Sequence, residues 1–167
     1  MPIKTYYLSD DTINAELEMF NFAVAKASKK YNIEEALIKA IAKHESGMEQ
    51  YARRYDYRPL SRQAWFTNAM KKNGWEGKQY FYSCGYLQVL YLVCKTDFNF
   101  KGSFHDLFDA DINIDLGCQI LAKQLKRYDG DVKKALSAYN AGHYTEINSK
   151  NYTIPIYEYY KSIGGKK

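Results

Sequence analysis

Glu45 is the residue in this chain whose type and spacing most directly suggest chemistry. Ile33, Leu37 and Ile41 recur every four residues, and Glu45 is the next position on that ladder. An ionisable carboxyl is therefore expected on the inward face of a helix, in its last turn. Burial there disfavours the carboxylate, and the negative end of the helix dipole disfavours it again. A carboxyl kept protonated near neutral pH is what a general acid requires. Spacing alone leaves a second reading open, a Glu at a frayed helix end turned into water. Gln88 is the next candidate, the one amide within the apolar run 85–94. A buried amide must find partners, so Gln88 is either a structural bridge or a ligand contact. His44 is either a neighbour of this site or a solvated helix position. His44, His105 and His143 lie far apart without metal-ligand spacing, so neither a metal site nor a cofactor is expected.

The elements that must position these groups read as helices. Asn32 followed by Glu35 is a capping pattern for the Glu45 helix, and Gly47 suits its left-handed exit. Ahead of it, Ile13, Leu17, Phe20, Val24 and Ala27 form a stripe expected to pack on that helix. The run 85–94 has the length of a buried helix, although its β-branched residues also allow a strand. Asp111 is expected to cap a helix reaching about Tyr128, with Leu116, Ile120, Leu121, Leu125 and Tyr128 inward. Asp131 is expected to cap another that ends at Gly142. Residues 148–151 read as a polar loop. Pro155 suits the first turn of a last helix, with Ile156, Tyr159, Tyr160 and Ile163 inward. No alternating hairpin with an Asn-Gly turn is present, so the expected class is all-α.

At 167 residues the chain fits one domain, 1–167, able to bury about two-thirds of its unfolded surface. Its 17 tyrosines exceed what packing needs, and Tyr favours surfaces where a flat ring meets a partner. The segment 51–83 is basic and aromatic, and its net charge of +5 equals that of the entire chain. It reads as an insertion, between core segments 10–50 and 84–163, that either lines one wall of a groove or is a basic aromatic patch, half core and half solvated surface. A helix is expected over 61–72, with Ala64, Trp65, Ala69 and Met70 inward and Gly74 as its stop. Basic aromatic chemistry is compatible with nucleic acid, but no recognised motif accompanies it, so no nucleic-acid partner is expected. Cys84, Cys94 and Cys118 are odd in number and lack Cys-x-x-Cys spacing, so free thiols are expected. The N-terminal stretch has no apolar core of signal-peptide length, and no run approaches a transmembrane helix. A soluble monomer is the expectation.

Four blocks, in order, then resemble a known family: His44-Glu45-Ser46-Gly47, Gly85-Tyr86-Leu87-Gln88, Ala138-Tyr139-Asn140-Ala141-Gly142 and Asn151-Tyr152. Over about residues 33–160 they are similar to the signature blocks of the soluble lytic transglycosylases. That family has a lysozyme-like α-helical fold and cleaves peptidoglycan glycan strands. The resemblance implies that Glu45 is the lone catalytic acid and Gln88 a sugar contact. It implies that Tyr139 and Asn140 lie in the site, with the Tyr139 hydroxyl near the catalytic carboxyl and able to donate to it. Tyr152 then corresponds to a tyrosine near the cleft, and Ser46 to a position that helps hold the site. The chain departs from the pattern in the long 51–83 segment, in Leu87 where Met is usual, and in the missing Pro after that block.

Most glycosidases need two carboxylates, and the one carboxyl in the signature blocks suffices if the substrate supplies its own nucleophile. Asp56, Asp97 and Asp109 are the distant acids that could fold in. The implied reaction cuts between N-acetylmuramic acid and N-acetylglucosamine and leaves 1,6-anhydro ends. Two rivals are a muramidase on the same fold, in which water attacks, and a non-catalytic virion or wall-binding protein. The Arg53-Arg54-Tyr55 start of the insert is similar to phage and prophage members. The implied setting is a phage endolysin, made in the host cytoplasm without a signal peptide and acting on the cell wall after release, or a virion component.

Overall fold

The computed structural model describes residues 10–56 and 60–166 and is predominantly helical, an all-α lysozyme-like architecture. Helix α1 spans Asp10–Tyr31 and α2 spans Glu35–Ser46. A short strand β1 (Arg53–Tyr55) leads to α3 (Leu60–Asn73) and a 3-10 turn at Lys78–Phe81. Strands β2 (Tyr82–Cys84) and β3 (Val89–Leu90) precede α4 (Tyr91–Asp97). Helix α5 (Ala110–Arg127) runs beside α6 (Val132–Ala141). A single turn α7 (Glu146–Asn148) and a π-helical turn at Ser149–Thr153 lead into α8 (Ile154–Ser162).

The core gathers Phe20, Ala23, Val24 and Ala27 of α1 with Leu37, Ile38 and Ile41 of α2, Ile114, Leu116 and Leu121 of α5 and Leu136 of α6. Helix α1 packs chiefly along α5, with the α2 contact secondary, which corrects the expectation that its stripe serves the Glu45 helix. Ile13 and Leu17 consequently stay exposed, because the first turns of α1 reach past the body it covers. On α8, Ile156 and Tyr160 face inward as expected, whereas Tyr159 and Ile163 are exposed.

Capping explains the other shifts. Asn32 takes a left-handed conformation (φ 53°) between α1 and α2, and Glu34 supplies the extended residue ahead of α2. No side chain caps α2, so the Asn32–Glu35 box is not formed. For α5 the cap is Asp109, whose carboxylate accepts from the Ile112 amide at 3.0 Å. Asp111 sits instead in the first turn and pairs with Lys26 at 2.8 Å. Asp131 caps α6 as its sequence suggests, accepting from the Lys134 amide at 3.0 Å.

The run 85–94 is not one helix. Residues 85–88 form a turn between β2 and β3, and the three strands make an antiparallel sheet in the order β1-β2-β3. Arg54 lies opposite Ser83, and Ser83 opposite Leu90. The β1–β2 pairing joins the two ends of the 51–83 segment. Trp75 stacks on Tyr80 (5.5 Å between centroids), and Tyr80 stacks on Tyr91 of α4 (4.9 Å). Of the described aromatics of this segment, Trp75, Tyr80, Phe81 and Tyr82 therefore pack against the body, whereas Tyr51 is exposed. In α3, Ala69 and Met70 are half-buried and Ala64 is exposed, while the expectation for the Trp65 side chain lies outside the described residues. Gly74 ends α3 at φ 64°, as expected.

Candidate active site

Glu45 closes the last turn of α2. The helix stops there because Gly47 (φ 67°) and Met48 (φ 74°) both turn left-handed. Their amides return to the carbonyls of Lys43 and Ala42 at 3.2 and 3.3 Å. Ser46 fastens the same exit: its Oγ donates to the Ala42 carbonyl at 3.0 Å and accepts from the Met48 amide at 3.2 Å.

The Glu45 carboxyl is drawn into the fold and meets the hydroxyl of Tyr152, which donates to Oε1. Burial raises the carboxyl's proton affinity above the ordinary range; the Tyr152 hydroxyl and the positive charge of Arg54 act in the opposite sense. Tyr152 is carried by the π-helical turn after α7, a geometry that re-aims a side chain within a helical run. Its ring, buried itself, meets the His44 ring edge-on at 5.0 Å. His44 is itself exposed, and partial desolvation and then the Arg54 charge lower its pKa.

Tyr139, on α6, does not make the expected bond to Glu45. Its one hydroxyl hydrogen goes to the main-chain carbonyl of Leu87 at 2.7 Å, and Tyr152 holds the carboxyl instead. Tyr139 is still within electrostatic reach, since burial and then the Glu45 charge push its ionisation up.

The turn that Tyr139 grips is held from the other side by Asn113 of α5, which is fully buried. Asn113 Oδ1 accepts from the Leu87 amide at 2.9 Å, and its Nδ2 donates to the carbonyls of Cys84 and Leu107 at 2.9 and 2.8 Å. Gly85 makes this approach possible. At φ 72° it needs a residue without a side chain, and a Cβ there would stand 2.2 Å from Asn113 Nδ2. Gln88 (φ 46°) ends the turn, and its Nε2 donates to the carbonyls of Ala52 and Gly85 at 3.1 and 2.9 Å. Both readings of Gln88 thus have a basis, because it bridges two backbone segments and also lines the groove.

A groove of about 230 Å³ opens over these residues, walled by Glu45, Arg54, Gln88, Tyr139 and Asn140 and continuing between α4 and α5. Neither Tyr152, which donates to the Glu45 carboxyl, nor Ser46 is among the residues lining it. Of the 51–83 segment, Arg54 and Ser83 are the described residues in the wall, a smaller share than expected. Asp97 is the second carboxylate among the described lining residues, and it is engaged by Lys123 at 3.4 Å and by the Thr96 hydroxyl at 3.0 Å. Asp109 is occupied as the α5 cap, and neither it nor Asp56 is among the lining residues. Among the described residues no group of three His, Cys, Asp or Glu could hold a metal ion, and no helix is long and apolar enough to cross a membrane.

Two contributors escape sequence reasoning. Arg54 is visible there only as part of a charge run, because nothing short of the β1–β2 pairing brings it to Glu45. Asn113 gives no signal at all, since a polar residue on a helix reads as solvated until the turn it clamps is known. The arrangement as a whole can deliver and recover a proton at the wall of an open cleft. A family model, the transglycosylase SLT domain, matches residues 22–155 of the chain.

Proposed function

Because the chain belongs to the transglycosylase SLT domain family, whose members break glycosidic bonds of peptidoglycan, we propose that it cuts between N-acetylmuramic acid and N-acetylglucosamine by non-hydrolytic transfer. The observation that carries this reading is the enclosed Glu45 carboxyl, raised in proton affinity by burial and trimmed by one phenol donor. Glu45 gives its proton to the bridging oxygen, and the leaving sugar departs. The acetamido oxygen of the muramic acid supports the developing positive charge at C1. Ionised Glu45 then takes the proton of the C6 hydroxyl, whose oxygen bonds to C1 and closes a 1,6-anhydro ring. One carboxyl serves as acid and then base, which demands a pKa near ambient pH.

In this reading Gln88 and Asn140 contact sugar from the groove wall, Tyr139 sets the Gln88 turn, Tyr152 tunes the acid, and Ser46 holds the helix exit that presents it. Arg54 adds attraction for an anionic wall polymer. The chain acts as one catalytic domain and a monomer, with residues 51–83 inserted. The phage-like Arg53-Arg54-Tyr55 start of that segment supports an endolysin role.

The test is mass analysis of digested, purified peptidoglycan. Anhydro ends, lighter by one water than reducing ends, are the expected product, and reducing ends would replace this mechanism with hydrolysis. Glu45→Gln is expected to abolish release of either product while the protein stays folded. An active Glu45→Gln protein would remove Glu45 from its role.

A further inference from the structure

Gln124 lies on the inward side of α5 and is 8 % exposed, yet among the described residues its Oε1 is the one buried side-chain polar atom without a hydrogen-bond partner. It lines the part of the groove that runs between α4 and α5, beside Val93, Phe98 and Ile120. The cations flanking it are already engaged. Lys123 pairs with Asp97 at 3.4 Å and sits over the Phe98 ring, and Arg127 donates to the Gly142 carbonyl at 3.1 Å. An aliphatic side chain would fill the same place without leaving an acceptor unsatisfied, so packing gives no reason for an amide here.

We propose that Gln124 is a specificity residue whose Oε1 accepts a hydrogen bond from an acetamido N–H of the bound glycan strand, with the acetyl methyl resting on Val93, Phe98 and Ile120. This rests on the reading of the groove as a glycan site. The terminal amide torsion of Gln is soft, and no bond to Oε1 resists the rotation that turns it toward the groove. An acetamido group fits the lining because it carries a donor and an apolar methyl together. A sugar hydroxyl offers the donor alone and leaves the apolar wall uncovered.

The test compares the parent, Gln124→Met and Gln124→Glu. Binding of a fully N-acetylated chitin hexasaccharide and of its partly deacetylated counterpart is measured by calorimetry, alongside Tm and product release from peptidoglycan. Gln124→Met is expected to keep or raise Tm while weakening the acetylated ligand by about 5–10-fold, the scale of one lost hydrogen bond. The deacetylated ligand, already weaker, is expected to change less. Gln124→Glu keeps an acceptor oxygen and is expected to retain acetylated-ligand binding within about twofold. A lowered Tm in Gln124→Met with unchanged binding would make the amide structural. An equal loss on both ligands would transfer the donor to a hydroxyl. Either result overturns the proposal. Product release by the parent reports separately on the glycan reading, and its absence would remove that reading itself.

Discussion

Tyr139 and Leu87, 52 residues apart, are joined by a 2.7 Å hydrogen bond from the phenol to the main-chain carbonyl. Tyr139→Phe leaves that carbonyl without its phenol partner beside a half-buried ring, which costs about 1–3 kcal/mol. For a chain of this size each kcal/mol lowers Tm by about 2–4 °C. Turnover is expected to fall as well, because Gln88 follows Leu87 in the same turn. A Tyr139→Phe protein that melts with the parent would show that the bond is not needed.

Tyr152 and Arg54 both hold the Glu45 pKa down against the larger effect of burial. Removing either, as Tyr152→Phe or Arg54→Ala, raises it further. The first chemical step needs protonated Glu45, so activity declines as pH rises through that pKa. The alkaline limb of kcat/KM is therefore expected to move to higher pH in both variants. Profiles superimposing on the parent's would detach these residues from the acid.

Glu45 also leaves a mark on stability. Its pKa is higher folded than unfolded, so between the two values the native state binds more protons and stability falls as pH rises. Below the unfolded value the penalty is absent, and above the folded value it is fully expressed. Glu45→Gln cannot ionise and is expected to melt higher than the parent at pH 7–8, with the gap closing near pH 4. Thermal melts across that range test the sign directly.

Asn113→Ala removes the partners of the Leu87 amide and of the Cys84 and Leu107 carbonyls together. At about 1–3 kcal/mol for each orphaned group, the loss is at least about 3 kcal/mol. Urea denaturation is expected to show a clear drop in midpoint, larger than that of Tyr139→Phe. A smaller drop would reverse the order of importance given to the two clamps.

Cys84, Cys94 and Cys118 are unpaired and buried, and burial pushes each thiol up to about 12. At pH 8 only about one thiol in ten thousand is ionised. The native protein is expected to resist a thiol-specific disulfide reagent over minutes and to react at all three sites once unfolded. Rapid reaction of any one in the native state would contradict its burial.

The four-residue ladder through Ile33, Leu37 and Ile41 places Glu45 in the last turn of α2, and Gly47, Gly74 and Gly142 mark helix exits as their positions suggest. Those signals are local, and local geometry decides them. The turn at 85–88 is not legible in the sequence, because an apolar run of this length suits a buried helix and also allows a strand. What decides is Asn113, far along the chain, gripping Leu87. The same holds for Tyr139 and Tyr152. Both sit in blocks that pointed to the site, but which phenol meets the carboxyl depends on the π-helical turn, for which the spacing carries no sign.

The bond from Tyr152 to Glu45 spans 107 residues of sequence. A nascent or clipped polypeptide stopping short of position 152 possesses the acid yet lacks the phenol that adjusts its hold on hydrogen. The adjusted acid therefore exists only once both distant pieces of the chain have met in the folded domain.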